Sequence, residues 1–426
     1  MSDNFSNKRI LSQILESLTH SSCRLENKNA IYESLKKELQ GKRYLLILDD
    51  VWNEDSHEWD TLKESLLGIN PNLRNNIIVT TRSNVVTKIM RTLPKQEMKK
   101  LLDKECWEII KNRVSTKERI PLTQELEDIG REIAKRCHGV PLVAKVIGGS
   151  MSWKIEENEW LKIQNNMVWN SQNDSKCILS ILKLSFDHLY PPSLKKCFTY
   201  CAIFPKDYAM GKEELVQHWM AEEFLQPSRK YFSVEDIGFE YFDILLGNSL
   251  FQDIERDNYG DIISCKMHDL IHDLALSISK WETLHVKGIV GCDIQYMSHI
   301  RRLSLISNDQ TTLTIPLTRD DMGRLRTIFS IRANLGDKLM DLKCVCGLTL
   351  FRRHVDELPK SIGEFRHLRL LCIERTNIKA LPNSVTKLYN IQTLIIKDCH
   401  LLEELPNELR NLTNLRHINI SHKYIK

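Results

Sequence analysis

"LPKSIGEFRHLRLLCI", residues 358–373, decides how the C-terminal third of the chain folds. Counting from Leu358, apolar residues fall at Ile362, Phe365, Leu368, Leu371 and Ile373. Restarting at Leu381, the same offsets give Val385, Leu388, Ile391, Leu394 and Ile396; restarting at Leu405, they give Leu409, Leu412, Leu415, Ile418 and Ile420. Each register opens on Leu-Pro (Leu358–Pro359, Leu381–Pro382, Leu405–Pro406), and the registers are 23 and 24 residues apart. A set of amphipathic helices is the competing reading, and five matching offsets in three registers exclude it.

A period of that length with an L-x-L strand is the mark of a leucine-rich-repeat solenoid. Weaker copies of the strand occur at Leu303/Leu305, Ile328/Ser330 and Leu348/Leu350, which places the array over residues 286–426. The concave face of such an array is the expected recognition surface. "INISHKYIK" follows a strand with no polar cap, so the chain reads as continuing beyond this point in a longer relative.

Upstream the pattern changes. In 426 residues, 42% hydrophobic and 27% charged, two to four domains are expected. The net charge of +4 carries no dominant basic footprint for nucleic acid. No apolar run approaches the roughly 20 residues of a membrane span, and the polar start "MSDNFSNKRI" carries no export pattern, so a cytoplasmic location is expected. The 12 cysteines are scattered through apolar patterns and read as reduced core residues.

Residues 8–18 place Ile10, Ile14, Leu15 and Leu18 on one helix face, and Ile31, Leu35 and Leu39 mark a second helix stopped by Gly41. Then "KRYLLILDDVWNED" (42–55) brings a continuous apolar run, Tyr44–Leu48, expected to be covered on both faces of a parallel sheet. "NNIIVTTR" (75–82) repeats the form, so residues 1–115 read as an α/β unit whose ligands bind beyond the strands' carboxyl ends. Residues 116–188 read as a helical domain: Leu126, Ile129, Ile133 and Cys137 share a face, Gly139 follows, and Pro141 suits the start of the next helix. Residues 189–285 combine helices with a hairpin around an Asp257–Gly260 turn and read as a winged-helix domain.

Asp49 and Asp50 close a buried strand, the arrangement that supplies a magnesium–nucleotide site with carboxylate oxygens. The partner motif, G-x-x-x-x-G-K-[ST], is absent: Gly41–Lys42 lacks the earlier glycine, and Gly148–Gly149 has no lysine in register. Two other sets could carry chemistry. His268 and His272, with Asp269 and Asp273 beside them, have metal-ligand spacing, although helix capping by Asp269 is the stronger reading. Cys197 and Cys201 are four apart but lie among aromatics, which favours a packed helix face over zinc.

In order, these motifs resemble the plant nucleotide-binding leucine-rich-repeat disease-resistance receptors of the coiled-coil class. "KRYLLILDDVWNED" is similar to their Walker B segment and "NNIIVTTR" to the strand with the sensor arginine. "LLDKECWEII", "CHGVPLVAKVIGG", "CFTYCAIFPKD" and "KMHDLIHDLA" are similar to the four motifs that follow. The resemblance implies a multidomain chain: a partial α/β P-loop NTPase-like domain, a helical domain, a winged-helix domain and a repeat solenoid. It implies ADP or ATP with Mg2+ as cofactor: Asp49 on the metal, Asp50 supporting slow hydrolysis that serves a switch, Arg82 sensing the γ-phosphate, Pro141 against the adenine and His268 at the β-phosphate. In the family a phosphate loop precedes the Walker B strand, and Met1 falls after that loop, so weakened nucleotide binding is expected. Implied partners are a pathogen effector, a guarded host protein or another receptor of the family. The alternatives are a scaffold or decoy that does not switch and acts through its repeat surface, and a metal phosphohydrolase built on His268, Asp269, His272 and Asp273.

Overall fold

The computed structural model describes residues 6–21, 23, 25, 27–69, 75–115, 122–152, 156–166, 174–225, 233–287, 298–306, 317–331, 336–351 and 356–421. They form two compact units, 1–99 and 100–426.

The first unit runs α1 (Asn7–Thr19), α2 (Lys28–Leu39), β1 (Leu45–Leu48), α3 (Ser56–Leu67), β2 (Asn76–Val79) and α4 (Asn84–Met90). Helix α2 ends as expected, with Gly41 in the left-handed region at φ +71°. Asp55 caps α3 by accepting from the backbone N–H of His57 and Glu58, and Ser83 caps α4 in the same way. Strands β1 and β2 pair in parallel, Leu45 opposite Asn76 through Leu48 opposite Val79. The expected burial on both faces is not what forms. Leu48 is buried and Leu46 packs with it against Leu11, Leu35, Trp59 and Leu62 from the helices. Leu45 and Ile47 point the other way and are 57% and 60% exposed, so among the described residues this sheet is covered on one face only.

The second unit opens with four helices, α5 (Asp103–Ser115), α6 (Gln124–Lys135), α7 (Pro141–Met151) and α8 (Glu157–Gln164). Helix α5 lies before the boundary expected at 115/116 and packs with the helices after it. Cys106, Trp107, Ile110 and Val114 of α5 pack into one core with Ile133, Val143 and Ile147, because the apolar face of α5 meets α6 and α7. Gly139 is required where it stands. Its φ is +71°, and a Cβ there would meet the Leu101 carbonyl oxygen at 2.5 Å.

Helices α9 (Asp174–Asp187) and α10 (Pro192–Tyr200) lead to strand β3 (Met210–Gly211), α11 (Lys212–Ala221), α12 (Val234–Gly247), β4 (Gln252–Arg256), β5 (Ile262–Lys266) and α13 (Asp269–Ser279). The hairpin turns where expected, with Gly260 N–H donating to Asp257 O and Gly260 at φ +93°. The very short β3 adds a third antiparallel strand, in order β3-β5-β4, completing a winged-helix arrangement. Cys197 and Cys201 are fully buried in its core beside Phe198, Trp219 and Phe242, and burial pushes both thiols up.

The remaining elements are β6 (Thr283–Lys287), β7 (Arg302–Ile306), α14 (Arg319–Met322), β8 (Thr327–Ile331), β9 (Gly347–Phe351), β10 (Leu370–Glu374), β11 (Thr393–Lys397) and β12 (His417–Ser421). The seven strands pair in parallel in chain order, and equivalent repeat positions stand side by side: Leu348, Leu371, Leu394 and Ile418 are in register. Leu348, Leu371 and Leu394, with Leu350, Ile373 and Ile396, point into one continuous solenoid core. Strand β6 begins three residues before the expected start of the array at 286 and is the first of the seven.

The opposite strand face is not open. The winged-helix elements cover it. Phe329 on β8 meets Phe204 and Tyr208 edge-on at 5.2 and 5.4 Å, and His285 on β6 bonds the Ala202 carbonyl oxygen at 2.6 Å. Ala221, at the end of α11, packs against Leu370, Cys372 and Ile395. Around this apolar strip, acids answer bases: Glu222 with Arg326 at 3.0 Å, Glu223 with Arg369 at 2.6 Å, Glu235 with Arg416 at 2.8 Å, and Glu214 with Lys397. The face expected to carry recognition is therefore largely an internal interface over β6–β11.

Candidate functional site

Two strands end side by side in the first unit, and the polar residues after them are stitched together. Strand β1 delivers Asp49 and Asp50; β2 delivers Thr80, Thr81 and Arg82. Ladder hydrogen bonds carry on past the strands, from Thr80 N–H to Leu48 O and from Val51 N–H to Thr80 O. The Thr80 hydroxyl accepts from Asp50 N–H at 2.8 Å and donates to Asp49 Oδ1 at 2.5 Å. The Thr81 hydroxyl donates to Val51 O at 2.6 Å. These bonds surround Asp50, whose backbone is in the left-handed region at φ +49°.

Arg82 Nη2 lies 3.2 and 3.3 Å from the two Asp50 carboxylate oxygens. Its guanidinium carbon sits 4.2 Å from the centre of the Trp52 ring. Burial on its own would raise the Asp50 carboxyl, but the hydrogen bond from Trp52 and the charge and hydrogen bond of Arg82 outweigh it and hold Asp50 below the usual carboxylate range. A carboxylate held low is a weak base. It orients a neighbour better than it removes a proton.

The donor set fits a magnesium-bound phosphate. Carboxylate and hydroxyl oxygens are the hard donors magnesium prefers, and that ion takes one or two protein carboxylates with the rest from water and phosphate. Among the described residues no three His, Cys, Asp or Glu side chains gather into an all-protein metal site. Arg82 is bonded to the acid pair through Asp50, and a planar guanidinium suits phosphate oxygens.

Pro141 and His268 belong to the second unit. Pro141 is solvent-exposed and opens α7 at its first position. His268, not Asp269, is the residue that caps α13: its Nδ1 accepts from Leu270 N–H at 3.1 Å. Asp269 sits one place later, in the first turn and buried, where its charge favours the helix dipole. An Nδ1 that accepts places the ring proton on Nε2, so the outer nitrogen of His268 is a donor.

The phosphohydrolase set is committed elsewhere. His272 bonds the Phe204 carbonyl oxygen through Nε2 at 2.7 Å, and Asp273 pairs with Lys206 at 2.8 Å. Burial holds the His272 ring neutral by pushing its pKa down.

Comparison with known proteins agrees with this order of parts. Residues 1–119 match the NB-ARC domain, residues 203–275 the disease resistance protein winged helix domain, and residues 330–425 a leucine-rich repeat region. Disease resistance protein RGA2 of Solanum bulbocastanum is 35% identical over 403 residues, covering 94% of this chain and 38% of the relative. The chain belongs to the plant NB-ARC leucine-rich-repeat disease-resistance family. RGA1 of the same species is 37% identical over 372 residues, 87% of this chain and 35% of the relative. Disease resistance protein RPM1 of Arabidopsis thaliana is 31% identical over 375 residues, 85% of this chain and 37% of the relative. The chain thus spans little more than a third of the length of these relatives. No helix among its described residues is long and apolar enough to cross a membrane.

The sequence places Asp49 and Asp50, and the Thr80–Arg82 cluster, at strand ends, and the structure brings them together there; the sequence assigns no role to Thr80 or Trp52. The run T-T-R-S directly after a strand was the available sign for Thr80, since a hydroxyl at a strand end reaches the neighbouring strand's backbone. Trp52 gave only its position, two residues beyond the acid pair.

Proposed function

We propose that this chain carries the nucleotide-responsive and repeat-bearing parts of a plant immune receptor that acts in the cytoplasm. Its adenine nucleotide state, ADP or ATP with Mg2+, would set its conformation. The observation that supports this most is the cluster at the strand ends, two carboxylates, a hydroxyl and a guanidinium, in a chain of the NB-ARC family. In this reading Asp49 binds magnesium, Asp50 orients a water and holds Arg82, and Arg82 answers the γ-phosphate. For His268 the Nε2–H is the right donor for a β-phosphate oxygen, and for Pro141 the exposed ring at a helix start suits contact with an adenine. Any hydrolysis would be slow and would reset the switch.

Within these 426 residues no glycine-rich phosphate loop grips the phosphates, so affinity is expected to be weak. The partner would be a pathogen effector, a guarded host protein or a second receptor. The covered strand face leaves repeat edges and loops to meet it. Equilibrium dialysis of the purified chain against labelled ADP and ATP, with and without magnesium, tests the reading. Magnesium-dependent, saturable binding is expected; no binding of either nucleotide at millimolar concentration refutes it.

A further inference from the structure

Trp52 is half-buried beside the acid pair, and nucleotide binding by Asp49, Asp50 and Arg82 gives it no task. Its ring face lies under the Arg82 guanidinium at 4.2 Å, and its indole N–H donates to the Asp50 carboxylate. Arg82 closes the ring of contacts by bonding both Asp50 oxygens. Guanidinium groups stack on aromatic faces while their edges make in-plane hydrogen bonds, and here one arginine does both at once. To reach a phosphate, it must leave both.

We propose that Trp52 is a positioning residue for Arg82. Its ring parks the guanidinium on Asp50, so a nucleotide gains the arginine only by outcompeting indole and carboxylate together. The proposal rests on the nucleotide-binding function proposed for the chain. A diphosphate that does not engage Arg82 leaves the arrangement intact, whereas a triphosphate must pull it apart. Trp52 therefore biases the chain toward ADP over ATP.

The test uses the full chain with 15N-labelled tryptophan. Its eight indole N–H signals are read in a TROSY spectrum, and the Trp52 signal is assigned by its loss in Trp52→Phe. Without nucleotide, Arg82→Gln and Asp50→Asn are each expected to move the Trp52 signal and leave the other indoles in place, which also certifies the fold. Mg–ATP is expected to move it toward its Arg82→Gln position, and Mg–ADP to leave it. Trp52→Leu should lower the ratio of the ATP to the ADP dissociation constant by about two- to fivefold, the range of one exposed cation–π contact, and Trp52→Phe, which keeps a ring face, should lower it less. A Trp52 signal indifferent to Arg82→Gln, or an unchanged ratio in Trp52→Leu, overturns the proposal. Absence of all nucleotide binding would instead refute the binding reading and the ADP bias with it, and the nucleotide-free spectra would still decide whether Trp52 holds Arg82.

Discussion

Removing the Glu222 carboxylate should loosen the winged-helix elements from the repeats. Glu222 has a 3% exposed side chain, accepts from Arg326 Nε at 3.0 Å and also accepts from the hydroxyl of Thr327, itself 1% exposed. Glu222→Ala leaves a buried hydroxyl without its acceptor and a guanidinium with only the longer pair to Glu223 at 3.9 Å. Breaking a fully buried pair costs about 3–5 kcal/mol. The Arg326 side chain is 34% exposed and regains some water, which lowers the expectation to about 2–3 kcal/mol. Hydrogen exchange of peptides from α11 and β8 reads the local opening free energy directly. That loss corresponds to exchange about 30- to 150-fold faster if the opening is local. Arg326→Ala alone should cost at least as much, since it strands a 3% exposed carboxylate whose remaining partner is the Thr327 hydroxyl. The double variant should fall short of the sum by about 1 kcal/mol or more, because the two side chains act as one contact. Additive effects, or an α11 whose exchange does not change, would refute the reasoning.

Three further outcomes follow from the packing. Phe329→Ala removes a 1% exposed ring that meets Phe204 and Tyr208, and should cost about 3–5 kcal/mol, seen as a lower thermal midpoint and faster proteolysis of the second unit. Gly139→Ala meets both a left-handed backbone and the Leu101 carbonyl, and should cost about 2 kcal/mol or more in thermal unfolding, whereas Gly260→Ala, in open space, should cost less. His218 is buried, bonded to the Tyr200 hydroxyl at 2.9 Å, and burial pushes its pKa from 6.5 down to about 4. The unfolded chain therefore binds the extra proton first: this contribution is whole above pH 6.5 and is lost as pH falls to about 4, a change of roughly 3 kcal/mol at 1.4 kcal/mol per unit. A His218→Gln chain should show a flatter dependence of its thermal midpoint between those two values; an unchanged slope counts against the assignment.

How far the sequence could be read depended on whether a residue's neighbours were near in sequence. The repeat strands were legible because Leu371, Leu394 and Ile418 recur at fixed offsets and each pairs with its copy. Strand β6 was not, since "TLHVK" has the alternation but no Leu-Pro register before it. The run Tyr44–Leu48 promised burial on both faces, because an all-apolar strand carries no sign of which side the helices will cover. The cap of α13 went to His268 rather than Asp269 because the helix starts one residue earlier than a cap at the acid would place it. The acid–base pairs that hold the winged-helix elements on the repeats join residues more than 100 apart, such as Glu222 and Arg326, and no spacing rule connects them. At the site, strand ends marked Asp49, Asp50 and the Thr80–Arg82 cluster, while the bonds of Thr80 to the acids and the stacking of Trp52 on Arg82 showed only in three dimensions.

The strand-end cluster is proposed to hold a magnesium-bound adenine nucleotide. The most direct test titrates a fluorescent ADP analogue into the purified chain with magnesium and again with EDTA, for the native sequence and for Asp49→Asn. Weak, saturable binding that needs magnesium and is lost in a folded Asp49→Asn chain is the predicted result. Binding that ignores both magnesium and Asp49, or no binding by a folded native chain, would contradict it.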